Sequence, residues 1–271
     1  MLQRMKKDWR LILDDKYDGY YNMAVDEAIL KYYFSRKIPT LRIYGWSKPF
    51  VTLGYNQIAE EVLNFDEKYF YTRRITGGSA ILHDKEVTYS LTCSLQDLGL
   101  PKGVKESYKI ICSFLKHFYH KLGLKAEFAK DVFSGGLGEY KNFCFSCSQH
   151  FDLVVEGRKI GGNAQRRKKD IIFQQGSIPQ EVNFERIRKI IKGVSSSLEG
   201  STISLNAVLK KVTDFYALQL ALKDSFAEVF GVDFTTENLC EEEKETCEFL
   251  ADNKYRDENW NEKTCLVKQK N

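Results

Sequence analysis

The spacing of apolar residues predicts several amphipathic helices along the chain. Apolar side chains recur near one side of a helix over residues 22–34, and a longer 3.6-residue period covers residues 104–122. Two further helical stretches are predicted, one over residues 205–230 and a more acidic one over residues 239–252. Each predicted helix therefore has an apolar face that must pack against another element.

Extended segments are predicted where β-branched and aromatic residues concentrate, over residues 41–44, 50–53, 86–95 and 171–175. The segment 151–162 carries two short apolar or mixed runs, FDLVV and RKI, on either side of a Glu-Gly pair. Such a pair between extended runs is typical of a tight turn. The sequence therefore predicts a β-hairpin with its turn at Glu156 and Gly157.

The order of these elements indicates the fold class. Strands and helices are interspersed without regular βαβ alternation, which favours an α+β fold with a mixed β-sheet flanked by helices. Residues 195–202 (SSSLEGST) form the clearest change in composition. We interpret them as a loop between a core over about residues 20–195 and a helical C-terminal part over about residues 203–271, within a single domain over residues 1–271.

Composition excludes several classes of protein. The chain is 43% hydrophobic and 29% charged, as globular proteins are, and its net charge of +4 is too small to imply nucleic-acid binding. No apolar run of about 18 residues predicts a membrane span, and no secretory signal is evident. Seven cysteines, an odd number, suit a cytoplasmic protein with reduced thiols. A basic patch over residues 158–169 suits an acidic partner, although it is equally compatible with a solvated loop.

Cys144 is the first candidate for chemistry, because Lys159 follows it by fifteen positions at the predicted hairpin. A thiol is a poor nucleophile until it becomes a thiolate, and a nearby ammonium favours the thiolate. The alternative is that Cys144 packs as a small apolar group and Lys159 is solvated. Cys147 completes a C-x-x-C pair, but Cys240 and Cys247 are spaced poorly for a second zinc pair, so no metal site is predicted.

A second motif, RRITGGSAILHD over residues 73–84, contains adjacent glycines between two short strands. Adjacent glycines allow a ligand to lie against bare peptide N–H groups. Arg73 and Arg74 precede them with guanidinium groups that suit phosphate or carboxylate. A lone Gly-Gly pair is usually only a turn, whereas this combination of features indicates a binding loop.

Four blocks of sequence, at residues 22–30, 73–84, 157–165 and 173–178, resemble the lipoate-protein ligase and biotin-ligase superfamily. The resemblance implies a biotin/lipoate-ligase-like catalytic domain with Cys144 and Lys159 as catalytic residues. It also implies a set of substrate-binding residues in the two glycine-containing loops: Arg73, Gly77, Gly78, Ser79, Ala80, His83, Gly161, Gly162 and Ala164.

Within this superfamily the chain looks most like the LipM-type octanoyltransferases. KEVTYS at residues 85–90 and the Cys144-Phe145 pair match their pattern, and the Cys-Phe context favours Cys144 over Cys147 as the nucleophile. Ser79 stands where Arg or Gly is common, and Gln175 where many relatives have His. The alternatives are an ATP-dependent lipoate-protein ligase, an octanoyl amidotransferase between lipoyl domains, and a non-catalytic lipoyl-domain binder.

The resemblance further implies the reaction and its partners. The donor would be octanoyl-acyl carrier protein, and the acceptor a lysine of a lipoyl domain such as glycine cleavage H protein or 2-oxoacid dehydrogenase E2. No cofactor is implied; ATP and Mg²⁺ would be needed only by a ligase. No nucleic acid or membrane partner is expected. An apolar tunnel for the acyl chain is expected from residues 80–82 and 153–155.

Overall fold

The computed structural model describes residues 7–132 and 152–262. Within them the chain forms a series of strands that we number in chain order. They are β1 (Lys7–Tyr17), β2 (Thr40–Trp46), β3 (Phe50–Leu53), β4 (Phe70–Arg73), β5 (Ile81–His83), β6 (Glu86–Ser94), β7 (Glu127–Phe128), β8 (Leu153–Val155), β9 (Arg158–Lys159), β10 (Gly162–Lys168), β11 (Ile171–Pro179) and β12 (Val232–Thr236).

The helices are numbered in the same way, and a π-helical turn over Ala251–Tyr255 follows the eleventh. They are α1 (Gly19–Arg36), α2 (Ala59–Val62), α3 (Leu95–Leu98), α4 (Val104–Ile111), α5 (Ser113–Lys121), α6 (Ala129–Val132), α7 (Phe184–Ile190), α8 (Leu198–Ser201), α9 (Leu205–Leu209), α10 (Phe215–Phe230), α11 (Glu241–Leu250) and α12 (Glu258–Asn261). None of the helices in the described part of the chain is long and apolar enough to cross a membrane.

The largest sheet has six strands in the order β10-β11-β6-β2-β1-β12. Strands β12, β1 and β2 run parallel, whereas β2, β6, β11 and β10 pair antiparallel. Two small three-stranded sheets have the orders β4-β3-β5 and β7-β8-β9. Mixed sheets with helices packed on them confirm the predicted α+β class.

Most of the predicted elements are present. Helix α1 contains the predicted helix over residues 22–34, and its N-cap Asp18 accepts a hydrogen bond from the N–H of Tyr21 at 3.0 Å. The long periodic stretch over residues 104–122 forms α4 and α5, which are separated at Cys112. The predicted hairpin forms β8 and β9, and both of its turn residues have positive φ, 51° at Glu156 and 71° at Gly157.

Four strands, β1, β7, β10 and β12, were not predicted, and β1 and β12 lie together at one end of the central sheet. Strand β1 has charged residues on both sides of a short apolar run and β12 is only five residues long, and the register that pairs Trp9 with Phe234 joins residues far apart in sequence. The C-terminal part, which was predicted as helical, also contains β12, and this strand extends the sheet beside β1. The helical stretch over residues 205–230 is also divided, into α9 and α10.

Three hydrophobic clusters support the sheets. In the first, helices α5 and α10 pack on the central sheet, where the rings of Trp9 and Phe226 lie 5.1 Å apart. The second joins α1 to α11 and the π-helical turn through residues such as Val25 and Leu250. The third packs β3 and β5 against α7.

Candidate active site

A narrow cavity lies where β3 and β5 face the central sheet. Its lining comes from α1, β2, β3, β5, β6, β10, β11 and the loop after β4: Met23, Tyr44, Trp46, Thr52, Arg74, Ile81, His83, Thr88, Gly162, Ala164, Gln175, Gly176 and Ser177. Three predicted substrate-binding residues, His83, Gly162 and Ala164, are therefore brought to one cavity from separate parts of the sequence.

The His83 ring is a fixed part of the cavity wall. Its Nδ1 atom lies 2.8 Å from Glu86 Oε1, and its Nε2 atom lies 2.8 Å from Thr52 Oγ1. The ring also stacks on Trp46, with 3.8 Å between ring centroids. With both nitrogens engaged and one face covered, the imidazole has a single orientation toward the cavity.

Glu86 is the residue that anchors this wall, and it was not among the predicted site residues. Its carboxylate is buried and accepts a hydrogen bond from Ser177 Oγ at 2.7 Å, as well as one from Thr88 Oγ1. Thr88 in turn accepts from the Trp46 indole N–H at 2.8 Å. The carboxylate therefore links β5, β6 and β11 at the cavity.

The two arginines of the glycine motif both bind backbone carbonyl groups. The buried Arg73 guanidinium donates to the carbonyls of five residues: Gly54, Tyr55, Gln57, Trp260 and Asn261. Burial lowers the pKa of Arg73. Arg74 donates to the carbonyls of Gly77 at 2.7 Å and Ser79 at 2.8 Å. These contacts indicate that the arginines hold the loop in shape, and a substrate contact by Arg73 stays a prediction.

The loop over residues 77–79 lies directly against the residue that follows β3. Gly78 has φ of 87°, a conformation that favours glycine, and a Cβ on Gly54 would lie 1.7 Å from the Gly78 carbonyl oxygen. Gly54 therefore permits the close approach of the two segments. It was not among the predicted site residues, because a glycine at the end of a strand usually marks only a turn.

Beneath the cavity, Asp26 of α1 joins four partners from three strands. Its carboxylate accepts from the side chains of Arg42 at 2.8 Å, Tyr44 at 2.9 Å, Ser90 at 2.7 Å and Gln175 at 2.6 Å. Although burial opposes the charged form, Asp14 and Asp26 raise the pKa of the Arg42 guanidinium. Burial and the Asp26 carboxylate likewise hold the pKa of Tyr44 well above its ordinary value.

Gln175, which stands where many relatives have His, is a member of this network and of the cavity lining. Its amide also accepts a hydrogen bond from Thr76 Oγ1 at 3.1 Å and lies 3.6 Å from the Met23 sulfur. The amide thus connects the glycine loop to α1 with its donor and acceptor both in use.

Lys159 forms a buried ion pair in the small sheet β7-β8-β9. Its Nζ atom lies 2.7 Å from Asp152 Oδ2, and the exposed fractions of the two side chains are 1% and 5%. The Lys159 carbonyl accepts a hydrogen bond from the N–H of Ile203 at 2.9 Å, which fixes the strand from its other side. Cys144 and Cys147 lie outside the described residues. The structure therefore shows that Asp152 is the ion-pair partner of Lys159, and a catalytic role for Lys159 stays a prediction.

The remaining predicted residues lie in packed surroundings. A Cβ on Gly161 would lie 2.8 Å from the Ser177 carbonyl oxygen, so the chain passes close to β11 there. Of the six residues expected to form an acyl tunnel, Ile81 lines the cavity. Ala80 and Leu82 are packed in the third hydrophobic cluster, Leu153 and Val155 are packed in the first, and Val154 is also buried. No group of three or more His, Cys, Asp or Glu residues within residues 7–132 and 152–262 could hold a metal ion.

Comparison with known proteins identifies the family. The family model described as the lipoyl protein ligase A/B catalytic domain matches residues 18–227, which include every described residue of the cavity. The chain belongs to this family. The earlier resemblance is thereby confirmed.

Within the lipoyl protein ligase A/B family, the chain is similar over nearly its whole length to proteins named octanoyltransferase LipM. It is 34% identical to the one from Bacillus cereus, with 95% of this chain and 99% of that protein covered. It is 35% identical to the one from Kyrpidia tusciae, with 93% and 98% covered. It is 30% identical to the one from Bacillus subtilis, with 95% and 99% covered.

Solved structures of the family share the fold. A lipoate-protein ligase A bound with ATP superimposes with a TM-score of 0.79 at 23% identity, covering 94% of this chain and 98% of that one. A bipartite lipoate protein ligase from Thermoplasma acidophilum, studied with its E2 lipoyl domain, gives a TM-score of 0.76 at 22% identity, with 96% and 100% covered. At these identities the likeness establishes the α+β architecture alone.

Proposed function

We propose that this protein is an octanoyltransferase of lipoate biosynthesis that moves an octanoyl group from acyl carrier protein to a lysine of a lipoyl domain. The observation that carries the proposal is its match to octanoyltransferases over nearly the full length of both chains, at 34% identity for the Bacillus cereus protein. A shared fold alone would suit ligases and transferases equally. The sequence features that favour transfer are Cys144, its Phe145 neighbour and the KEVTYS segment.

The reaction that fits these residues has two acyl transfers. The Cys144 thiolate attacks the thioester carbonyl carbon, a new C–S bond forms, and the carrier leaves as a thiol after taking a proton. A neutral lysine amine of the lipoyl domain then attacks the octanoyl-cysteine, forms the amide, loses a proton and releases Cys144. The first step exchanges one thioester for another, so it needs no nucleotide, and the second is downhill because an amide replaces a thioester.

The described residues supply the surroundings for this chemistry. The Lys159 ammonium, held by Asp152, is a source of positive charge for a thiolate and for the oxygen of a tetrahedral intermediate. Backbone N–H groups in the loops at Gly77-Gly78 and Gly161-Gly162 are candidates for the oxyanion site. Ile81, Met23 and Trp46 give the cavity an apolar wall that suits an alkyl chain.

Two alternatives use the same fold. A lipoate-protein ligase would activate a free carboxylate with ATP, and Lys159 would then contact an acyl-adenylate; ATP and Mg²⁺ would be required. An amidotransferase would form the same octanoyl-cysteine but take the acyl group from one lipoyl domain, such as that of H protein, and pass it to another, such as that of E2. The nature of the donor distinguishes all three.

The experiment is intact-mass spectrometry of the protein after mixing with octanoyl-acyl carrier protein and no nucleotide. We expect a gain of one octanoyl group, its removal by hydroxylamine, and its transfer to an apo lipoyl domain added afterwards. The Cys144→Ala variant should gain nothing. Robust ligation of free lipoate by that variant with ATP and Mg²⁺ would overturn the proposal and favour the ligase. Loading only from an octanoylated lipoyl domain would favour the amidotransferase.

A further inference from the structure

One face of the edge strand β10 leads from the cavity to a basic surface. Side chains alternate along a strand, so Ala164, Arg166 and Lys168 lie on the same face. Ala164 lines the cavity. The Arg166 guanidinium follows it, 3.3 Å from the Ile75 carbonyl oxygen and 5.6 Å from the Tyr55 ring centroid. The row therefore continues from the cavity rim onto the outer surface.

Lys168, the last residue of this row, contacts helix α1, where its ammonium lies 5.3 Å from the ring centroid of Phe34. Arg166 and Lys168 are exposed, and within the described part of the chain neither forms an ion pair with a carboxylate. Exposed cations without an acidic neighbour are available to a partner molecule. We call Arg166, Lys168, Lys31 and Lys254 the β10 surface.

Lys31 and Lys254 add positive charge beside the same strand. Both contact Glu27, Lys254 at 2.6 Å and Lys31 at 4.0 Å, so the two lysines share one carboxylate. Burial lowers the pKa of Lys254, and the charges of Lys31 and Arg166 lower it further, against the raising effect of Glu27. Lys31, Lys254 and Arg166 are therefore close enough to affect one another electrostatically. The single Glu27 carboxylate does not neutralise the three positive charges.

Aromatic side chains lie within this basic surface. Tyr55 is 38% exposed and Phe34 is 39% exposed, each beneath a cation of β10. Arginine and aromatic residues are the types enriched where proteins bind one another. A surface of this composition suits a protein with an acidic face.

We infer that the β10 surface docks the acceptor lipoyl domain through an acidic face beside its target lysine. The inference rests on the proposed function. The acceptor lysine has only a four-carbon stem, so its domain must come against the cavity rim. An acyl carrier presents its thioester on a long prosthetic arm and can dock farther away. The position of Arg166 directly beyond Ala164 therefore favours the acceptor over the donor.

The test separates the two half-reactions. Loading from octanoyl-acyl carrier protein is followed by intact mass, and transfer from the loaded enzyme is measured against the concentration of an apo lipoyl domain. We expect Arg166→Glu/Lys168→Glu to raise KM for the lipoyl domain about tenfold or more, with kcat and the loading rate within about twofold of the parent. Added salt should raise the parent's KM and leave that of the variant nearly unchanged.

Arg167→Glu is the matched control, because it makes the same charge change on the opposite face of β10, where Arg167 donates to Ser107 Oγ at 3.3 Å. We expect it to change KM for the lipoyl domain less than twofold. Thermal melting verifies that each variant is folded, and Arg166→Gln/Lys168→Gln replaces the charge reversal if that variant is unstable.

Slower loading by the double variant with an unchanged KM for the lipoyl domain would assign the surface to the donor and overturn the inference. Equal effects of the double variant and Arg167→Glu would overturn it as well. If the parent protein fails to load at all, the proposed function fails instead. Direct titration of the parent and the variant with the apo lipoyl domain, by fluorescence anisotropy, then decides the docking inference separately.

Discussion

Lys159 and Asp152 form an ion pair across the hairpin, with 2.7 Å between Nζ and Oδ2 and both side chains buried. An ammonium in the protein interior is costly unless a carboxylate and hydrogen bonds compensate for lost water. The antiparallel register pairs Val154 with Lys159, so Asp152, two residues before Val154, lies diagonal to the lysine on the same face of the hairpin. We therefore expect Asp152 to act as a positioning residue for Lys159, whose catalytic role is proposed.

Asp152→Asn should destabilise the protein by about 3 kcal/mol, because it leaves the Lys159 ammonium without its buried carboxylate. Urea unfolding measures the change. Glu156→Gln is the control, since the Glu156 and Arg158 side chains are 64% and 35% exposed, and such pairs contribute little. A loss equal to that of Glu156→Gln would contradict the structural role of the pair. Recovery of octanoyl transfer in Asp152→Glu would support a need for the negative charge.

Cys144→Ser should abolish octanoyl loading and leave the thermal melting temperature unchanged, whereas Cys147→Ser should retain most activity. A serine hydroxyl has nearly the size of the thiol but does not ionise near neutral pH, so it lacks the nucleophile. Intact mass and circular dichroism measure the two properties. The reverse pattern of loading would assign the reaction to Cys147.

Lys159→Ala should raise the pH at which Cys144 is alkylated by about one unit or more, because a thiolate loses a nearby positive charge. The rate of iodoacetamide labelling as a function of pH, followed at the Cys144 peptide, gives this value. Lys159→Arg retains the charge and serves as the comparison. An unchanged pH profile in Lys159→Ala would remove this electrostatic role and leave only a contribution to substrate positioning.

Cys112 should resist alkylation in the native protein, which makes it an internal standard for the same experiment. Burial raises the pKa of its thiol to about 12, so the thiolate is scarce at neutral pH and increases only as the pH approaches that value. We expect no labelling of the Cys112 peptide at about pH 8 and full labelling once urea unfolds the protein. Comparable alkylation rates of Cys112 before and after unfolding would contradict its burial at the junction of α4 and α5.

The sequence predicted those parts of the fold that have a local signal. Helix α1 and the hairpin of Glu156 and Gly157 follow from apolar spacing and turn chemistry. Strand β12 was not found in this way, since it is only five residues long and its partner β1 lies at the other end of the sequence.

The candidate site shows the same division between local and long-range signals. His83, Gly162 and Ala164 belong to recognisable motifs, and the structure brings them to one cavity. Glu86 and Asp26 lie within the matched segments of the sequence but were not selected, because each carboxylate also binds a residue far away in sequence, Ser177 for Glu86 and Gln175 for Asp26. Arg73 lies in a motif whose guanidinium groups suit anions, but in the structure its guanidinium donates hydrogen bonds to backbone carbonyls, such as those of Gly54 and Asn261.

Gly54→Ala tests whether the glycine loop must lie against β3. The added methyl group would meet the Gly78 carbonyl oxygen at 1.7 Å, so one of the two backbone segments has to move. Overpacking of this kind costs about 1–3 kcal/mol and displaces the segment that is least firmly held. We expect a lower urea midpoint and a fall in octanoyl transfer that persists at temperatures where the variant is fully folded.

Gly200→Ala is the matched control, because nothing lies within 4 Å of a Cβ at that position and this exposed position of helix α8 accepts alanine. Its activity and stability should equal or slightly exceed those of the parent. If Gly54→Ala behaved like Gly200→Ala, the loop at residues 77–79 would tolerate displacement, and its backbone N–H groups would be poor candidates for the oxyanion site. A loss of transfer confined to Gly54→Ala ties the position of that loop to catalysis, because the two substitutions add the same methyl group.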